Sequence, residues 1–267
     1  MKIIRLKIYQ PQAHYRIPFT YQRRHTYPLP PYSTVIGFLC NILGINDQKK
    51  EEYKKLKEIK ISIAGRFEYK TTEYIWFRNL SKKSHIDRFG YVENRSINGH
   101  IEHIGGQSPV SIDILNDIQL IIYLSHDDEN FLSTIKSNLK NPVKRLEIIH
   151  LGRAEDWVVF EEISDLDITK FSYQQFDADF KHFFWIPERI YTNGHSRSIA
   201  FDSISGLIYN LPTFCNVQDF DKTYNRHGQR IFQYIKVKLN DGLLINQSIL
   251  FDKELGLPIF LAELNNE

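Results

Sequence analysis

Arg16, Tyr21, Arg23, Arg24, His25 and Tyr27 fall within twelve consecutive positions. Guanidinium and imidazolium groups neutralise phosphates, and tyrosine rings stack on unpaired bases. Ser33 and Thr34 follow in Pro30-Pro31-Tyr32-Ser33-Thr34-Val35-Ile36-Gly37, which reads as a proline-stiffened loop feeding a helix. Hydroxyls and free N–H groups at a helix start can cradle a phosphate. No aspartate or glutamate occurs between Met1 and Asn46. Even scatter of the 32 acids over 267 residues would put about five or six there. An acid-free segment rich in Arg, Lys and Tyr suits a polyanion with flat bases, and Arg5, Lys7 and Tyr9 extend it on the N-terminal side.

A second basic group lies between Arg66 and Asn116. Arg66, Lys70, Arg78, Lys82, Lys83, Arg88 and Arg95 stand there against Glu68, Glu73, Asp87, Glu93 and Glu102. Gly105-Gly106 offers bare backbone for close approach to a phosphate, or a simple turn. Arg153, between Gly152 and Glu155-Asp156, can reach a nucleic acid or pair with those acids. His100 and His103 have no third ligand near them, so no metal site is expected, and no cofactor. Metal-free RNA cleavage needs a base and an acid. His14, His25 and His100 are possible bases without an identifiable partner, and Lys181-His182 reads as strand-borne packing.

These residues need elements to hold them. Ile4, Leu6 and Ile8 alternate with Arg5, Lys7 and Tyr9, which predicts a half-buried strand with a basic, aromatic outer face. A helix capped by Ser33 or Thr34 buries Val35, Ile36, Leu39, Ile42 and Leu43 and ends at Gly44. Asp47–Glu58 reads as a solvated helix, Ile59–Ala64 as a second strand and Ile118–Leu124 as a third. Asp127-Asp128-Glu129 opens a helix with Phe131, Leu132, Ile135 and Leu139 on one face. Strand-like runs follow at Leu146–Leu151 and Trp157–Ile163.

The order strand, helix, strand, strand, helix, strand predicts an α+β, ferredoxin-like (RRM-like) βαββαβ domain over 1–165. A long β-hairpin, or thumb, is inserted at about 66–116. A β-rich C-terminal domain over 166–267 has strands at Lys181–Ile186, Arg230–Leu239, Leu243–Phe251 and Leu257–Leu264, with a turn at Asn240-Asp241-Gly242.

Net charge is only +2, so charge placement carries the information. Two cysteines, Cys40 and Cys215, and no Cys-x-x-Cys pair argue against a disulfide scaffold or a zinc ribbon. No long apolar run and no signal-peptide pattern appear, so a soluble, cytoplasmic protein with no membrane partner is expected.

Pro31-Tyr32-Ser33-Thr34-Val35-Ile36-Gly37 and Leu151-Gly152-Arg153-Ala154-Glu155-Asp156 resemble two motifs of the Cas-five family of CRISPR-associated proteins, in the RAMP superfamily; Ala154 replaces the family's serine. The resemblance covers most of the chain, and the branch looks like type I-B. It implies a noncatalytic, RNA-binding subunit of the Cascade surveillance complex in antiviral defence. Such a subunit caps the 5′ handle of the CRISPR RNA (crRNA), with its thumb beside a backbone subunit of the Cas-seven family. The large subunit of the Cas-eight family docks nearby, and target DNA is met through the assembled complex. One branch of the family cleaves precursor RNA without metal, which is the enzyme alternative.

Overall fold

The strand Ile118–Leu124 is part of a longer element that organises the molecule. The computed structural model describes residues 1–78, 83, 86–87, 90, 96–97, 100–101, 107–167, 174–175, 181–192, 194–217, 230–241 and 248–265. Its elements are β1 (Lys2–Ala13), β2 (Arg23–Arg24), α1 (Tyr32–Leu43), α2 (Glu51–Leu56), β3 (Lys60–Arg66), β4 (Tyr69–Arg78), β5 (Ser96–Ile97), β6 (His100–Ile101), β7 (Gln107–Ser125) and α3 (Glu129–Lys140). There follow β8 (Val159–Asp167), β9 (Gln174–Gln175), β10 (Phe183–Pro187), β11 (Arg189–Thr192), β12 (His195–Ser198), β13 (Leu207–Val217), β14 (Arg230–Asn240), β15 (Ser248–Asp252), β16 (Leu257–Ile259) and β17 (Ala262–Glu263). This is a mixed α/β protein, rich in strands and poor in helices.

The main sheet runs β13-β14-β10-β3-β7-β1-β8. The second half of β7 lies antiparallel between β1 and β3, with Ile122 opposite both Leu6 and Ile63. The first half runs on beyond β3 and pairs with β4, from Tyr69 opposite Asn116 to Arg78 opposite Gln107. The two halves meet at Asp117, whose φ of 51° is a left-handed conformation that Asp tolerates better than most residues. The insertion therefore has a ten-residue stem; its two small strands β5 and β6 pair with each other. Lys82, His85, Arg88, Arg95, His103, Gly105 and Gly106 lie outside the described residues, as does Gly242 of the expected turn.

The run Leu120–Leu124 is apolar and buried because both sheet faces are covered there, whereas Gln119 just before it is exposed. Leu120, Ile122 and Leu124 face one core with α1 and α3. Ile121 and Tyr123 face a second core built by Phe184, Ile186, Ile190 and the C-terminal residues Ile249 to Leu261. The same covering corrects the reading of β1 in part: its second face is closed at Ile3 and Arg5 and partly open at Lys7 and Tyr9. Ile3 and Arg5 lie beneath the C-terminal segment, and Arg5 is 3% exposed. Segment 257–261 is tied to β3, where the Phe260 N–H donates to Ser62 Oγ at 2.9 Å.

The two long helices are close to expectation. Asp128 caps α3 by accepting from the N–H groups of Asn130 and Phe131, and Phe131, Leu132, Ile135 and Leu139 are buried. Gly44 ends α1 with φ 71°. The start of α1 differs: its cap is Pro31, without a side-chain bond, so Ser33 and Thr34 lie inside the first turn. The Pro31 carbonyl takes the N–H groups of Thr34 and Val35 instead. Leu146–Leu151 is irregular rather than a strand. Asn41 explains this, because its Oδ1 accepts from Leu146 and Glu147 N–H and its Nδ2 donates to the Ile148 carbonyl. A side chain satisfies the backbone that a ladder would otherwise serve. The strand β13 was not expected; Pro212 interrupts its pattern, and its register with β14 shifts between Pro212 and Cys215.

Candidate nucleic-acid interface

The acid-free segment after β1 forms a flap that folds back on itself. Tyr27 N–H donates to the Tyr15 carbonyl and Ile17 N–H to the His25 carbonyl, while Arg16 bridges Thr26. Phe19 (90% exposed) and Tyr21 (71%) project at its tip. The returning arm is β2, which pairs in parallel with β7: Arg23 opposite Ser111 and Arg24 opposite Ile112. The result is a three-stranded ribbon, β2-β7-β4, that branches from the main sheet through β7.

Side chains paired across strands share a face, which divides this ribbon cleanly. On one face Arg24 lies over the Phe77 ring, 4.2 Å from its centroid. Ile75 packs beside it on Val110, Ile112 and Ile114. Burial, with the Arg16 charge nearby, lowers the Arg24 pKa. The opposite face carries Arg23, Ser111 and Tyr74 in one row, with Pro109 and Trp76 in the next. In the row on the other side, Asp113 Oδ2 lies 3.0 Å from His25 Nδ1 and 3.4 Å from Lys70 Nζ, and Oδ1 accepts from Thr72 at 3.0 Å. Burial would raise the Asp113 pKa, but the bonds from His25, Thr72 and Lys70 outweigh it and hold the carboxyl below its ordinary range. Its negative charge is matched within the ribbon, so Arg16 and Arg23 remain facing solvent.

His14 sits behind this ribbon, 3% exposed, with Nδ1 2.7 Å from the Asp113 carbonyl. A carbonyl only accepts, so Nδ1 carries the proton and Nε2 is the basic nitrogen, buried without a hydrogen-bond partner among the described residues. Burial, first of all, lowers the His14 pKa below its ordinary value. The backbone N–H of His14 donates to Asp156 Oδ2 at 2.9 Å. Asp156 also takes the Arg153 N–H at 2.7 Å and the guanidinium, with Nη2 at 2.8 Å from Oδ1. Of the two roles open to Arg153, the structure has it paired with Asp156 and Glu155. Gly152 has φ 123°, and a Cβ there would stand 2.6 Å from Asp156 Oδ2. Thr34, Gly37, Asn41, His150 and Gly152 line one cleft of about 400 Å³, so the two motifs meet.

The remaining candidates are scattered. The Arg5 guanidinium is enclosed by Glu162, Asp252 and Glu254, which corrects its expected role in RNA contact. Lys7 pairs with Glu162, and Tyr9 OH donates to Asp117. Tyr27 is 5% exposed and meets Trp185 and Tyr209 edge-on. It is a core ring rather than a stacking surface, a second correction. Arg66 bonds Gln119 at the root of the stem. Arg78 stands at the far end of β4, where only its backbone is described, and Arg95 lies outside the described residues. Sequence reading named Lys70 within the basic insertion but passed over Tyr74 and Trp76, which share its face of the ribbon. Their spacing i, i+2 in a strand was the available signal, but which face they occupy depends on the partner strand.

Fold and ribbon together define a strand-rich α/β protein with arginine and aromatic side chains exposed on the β2-β7-β4 ribbon. A family model described as CRISPR-associated protein (Cas_Cas5) matches residues 3–238. The chain belongs to this Cas5 family of CRISPR-associated proteins. A solved chain described as a "CRISPR RNA-guided surveillance complex" is 12% identical with a TM-score of 0.55, covering 99% of this chain and 93% of that one. A "CRISPR protein from Archaeoglobus fulgidus" is 13% identical with a TM-score of 0.38, covering 94% and 91%. No curated protein matches the sequence. Among the described residues, no helix is long and apolar enough to cross a membrane.

Proposed function

We propose that this chain is a noncatalytic RNA-binding subunit of a type I CRISPR surveillance complex, of the I-B branch, that holds the 5′ handle of the crRNA. The observation that carries the reading is the β2-β7-β4 ribbon, whose one buried acid is matched internally while Arg16, Arg23, Tyr21, Tyr74 and Trp76 face outward. Family membership supports assembly with other subunits, a Cas-seven-type backbone and a Cas-eight-type large subunit, with target DNA met by the whole complex. The order β8-β1-β7-β3 with α1 and α3 supports reading 1–165 as ferredoxin-like, and the stem of β4 and β7 supports reading the insertion as the thumb.

Arg23 is the clean probe, because Arg24 is engaged by Phe77. Arg23→Glu is expected to weaken binding of single-stranded handle RNA and to reduce the slope of log affinity against log salt by about 0.7 to 1. Filter binding across a salt series measures both, and an unchanged slope refutes the assignment of Arg23 to a phosphate.

His25, Asp113 and Lys70 favour a second reading, metal-independent endoribonuclease activity. An imidazole oriented by a carboxylate beside an ammonium group is a usable acid–base set. Incubation of the chain with repeat RNA in EDTA separates the readings. The noncatalytic reading expects intact RNA. Cleavage at one site that His25→Ala abolishes would establish the enzyme.

A further inference from the structure

We infer that Tyr74 and Trp76 form a stacking platform for an unpaired base whose phosphate is held by Arg23; this rests on the RNA-binding reading above. Both rings are largely exposed, at 63% and 58%, and meet edge-on with centroids 6.1 Å apart. Large aromatic side chains left in water on a strand are not stabilising the core; on the opposite face of the same stem Ile75 packs on Val110, Ile112 and Ile114 for that purpose.

The register gives the platform its form. Arg23, Ser111 and Tyr74 lie in one cross-strand row, and Pro109 and Trp76 in the next. Two strand spacings put the backbones of β2 and β4 about 10 Å apart. The floor between them is Ser111 and Pro109, both small, so a shallow bay opens between a guanidinium on one wall and two rings on the other. That bay matches a nucleotide with its base against the rings and its phosphate toward Arg23. Lys70 and His25, one row further, are engaged by Asp113, so Arg23 is the cation that faces the bay. The charge argues for a nucleic acid over an apolar protein segment, and a duplex would hide the base faces that rings can stack on.

The bay is also held still. Arg24 on Phe77 fixes β2 from one side, and His25 with Asp113 and Thr72 fixes it from the other. A stacking surface on a rigid ribbon loses little conformational freedom on binding.

The test uses the full chain and a single-stranded handle RNA in which each nucleotide in turn is made abasic. In the wild type, one or two positions are expected to cost about 5- to 150-fold in affinity, the range for loss of a base–aromatic stack. Tyr74→Ala/Trp76→Ala is expected to weaken the intact RNA by a similar factor, with no further loss at those same abasic positions. The denaturation midpoint is expected to stay that of the wild type. If the variant binds RNA but every abasic position costs it what it costs the wild type, the platform is overturned while RNA binding stands. If the wild type binds no RNA, the functional reading itself fails. If the variant binds RNA normally but no longer associates with partner subunits, the rings are a protein contact and the inference is overturned.

Discussion

Arg5→Ala is expected to destabilise the protein by about 3–5 kcal/mol, the range for leaving buried charges uncompensated. Arg5 Nη1 lies 2.8 Å from Asp252 Oδ2, and Nη2 lies 2.5 Å from Glu162 Oε1 and 2.7 Å from Glu254 Oε2. Asp252 is 1% exposed and also accepts from Tyr123 OH at 2.9 Å. Burial alone would lower the Arg5 pKa, but the three carboxylates outweigh it and raise it. Removing the guanidinium leaves a carboxylate with no cation in a nearly dry site. Arg5→Lys keeps the charge but cannot fork to three acids, so it falls between the two. Arg5→Met/Asp252→Asn is expected to recover part of the loss, because no unpaired charge remains at Asp252.

The network also predicts a pH dependence. Burial would raise the Glu162 pKa, but bonds from Lys7, Ser164 and Arg5 bring it down to about 2. A folded-state value below the unfolded one contributes stability that is present above the ordinary Glu value and is lost as pH falls toward about 2. In Arg5→Ala one of the three lowering groups is gone, so the loss of stability between about pH 4.5 and 2 shrinks. Urea titrations at several pH values measure both effects. A wild-type midpoint for Arg5→Ala at pH 7 would refute the claim that this cluster fastens the C-terminal segment to β1.

Asp156→Ala is expected to cost a similar amount, about 3–5 kcal/mol. Asp156 is 0% exposed and accepts from the backbone of His14 and of Arg153 and from the Arg153 guanidinium. Alanine leaves two N–H groups without their acceptor and the Arg153 guanidinium with only the exposed Glu155. Asp156→Asn retains one acceptor oxygen but turns an NH2 group toward donors, so it remains destabilising. Arg153→Ala costs less, about 1–3 kcal/mol, because two backbone N–H groups still satisfy the carboxylate. Since Asp156 holds the backbone where the chain enters the flap, the same change is expected to weaken handle RNA binding measured well below the melting temperature. Equal denaturation midpoints for Asp156→Ala and wild type would refute its role as the anchor of the Leu151–Asp156 motif.

Much of the fold was legible in local pattern. The period-2 alternation of Ile4, Leu6 and Ile8 marked β1, the continuous apolar run marked the buried half of β7, and the spacing of Phe131, Leu132, Ile135 and Leu139 marked α3. The missing acids marked the flap, and the stem of β4 and β7 falls where a hairpin was expected, at about 66–116. What escaped was set by partners remote in the chain. Leu146–Leu151 has strand-like residues, but Asn41, about a hundred positions away, bonds its backbone. Pro212 hid β13, whose course depends on pairing with β14.

The sequence by itself determined that a strongly basic, aromatic arm precedes α1 and that a paired insertion interrupts the β-order, because composition and short periods act through neighbours along the chain. Tertiary structure alone decided which of those basic and aromatic groups reach water. Arg5 and Lys7 alternate with apolar residues and Arg23 stands in a polar run, so local pattern alone marks all three as outward-facing, yet Arg5 is sealed by Asp252, 247 positions away. Arg23 stands open at the ribbon. Alternation reports that two side chains share a face; only the packing of distant segments supplies or withholds the layer that covers it.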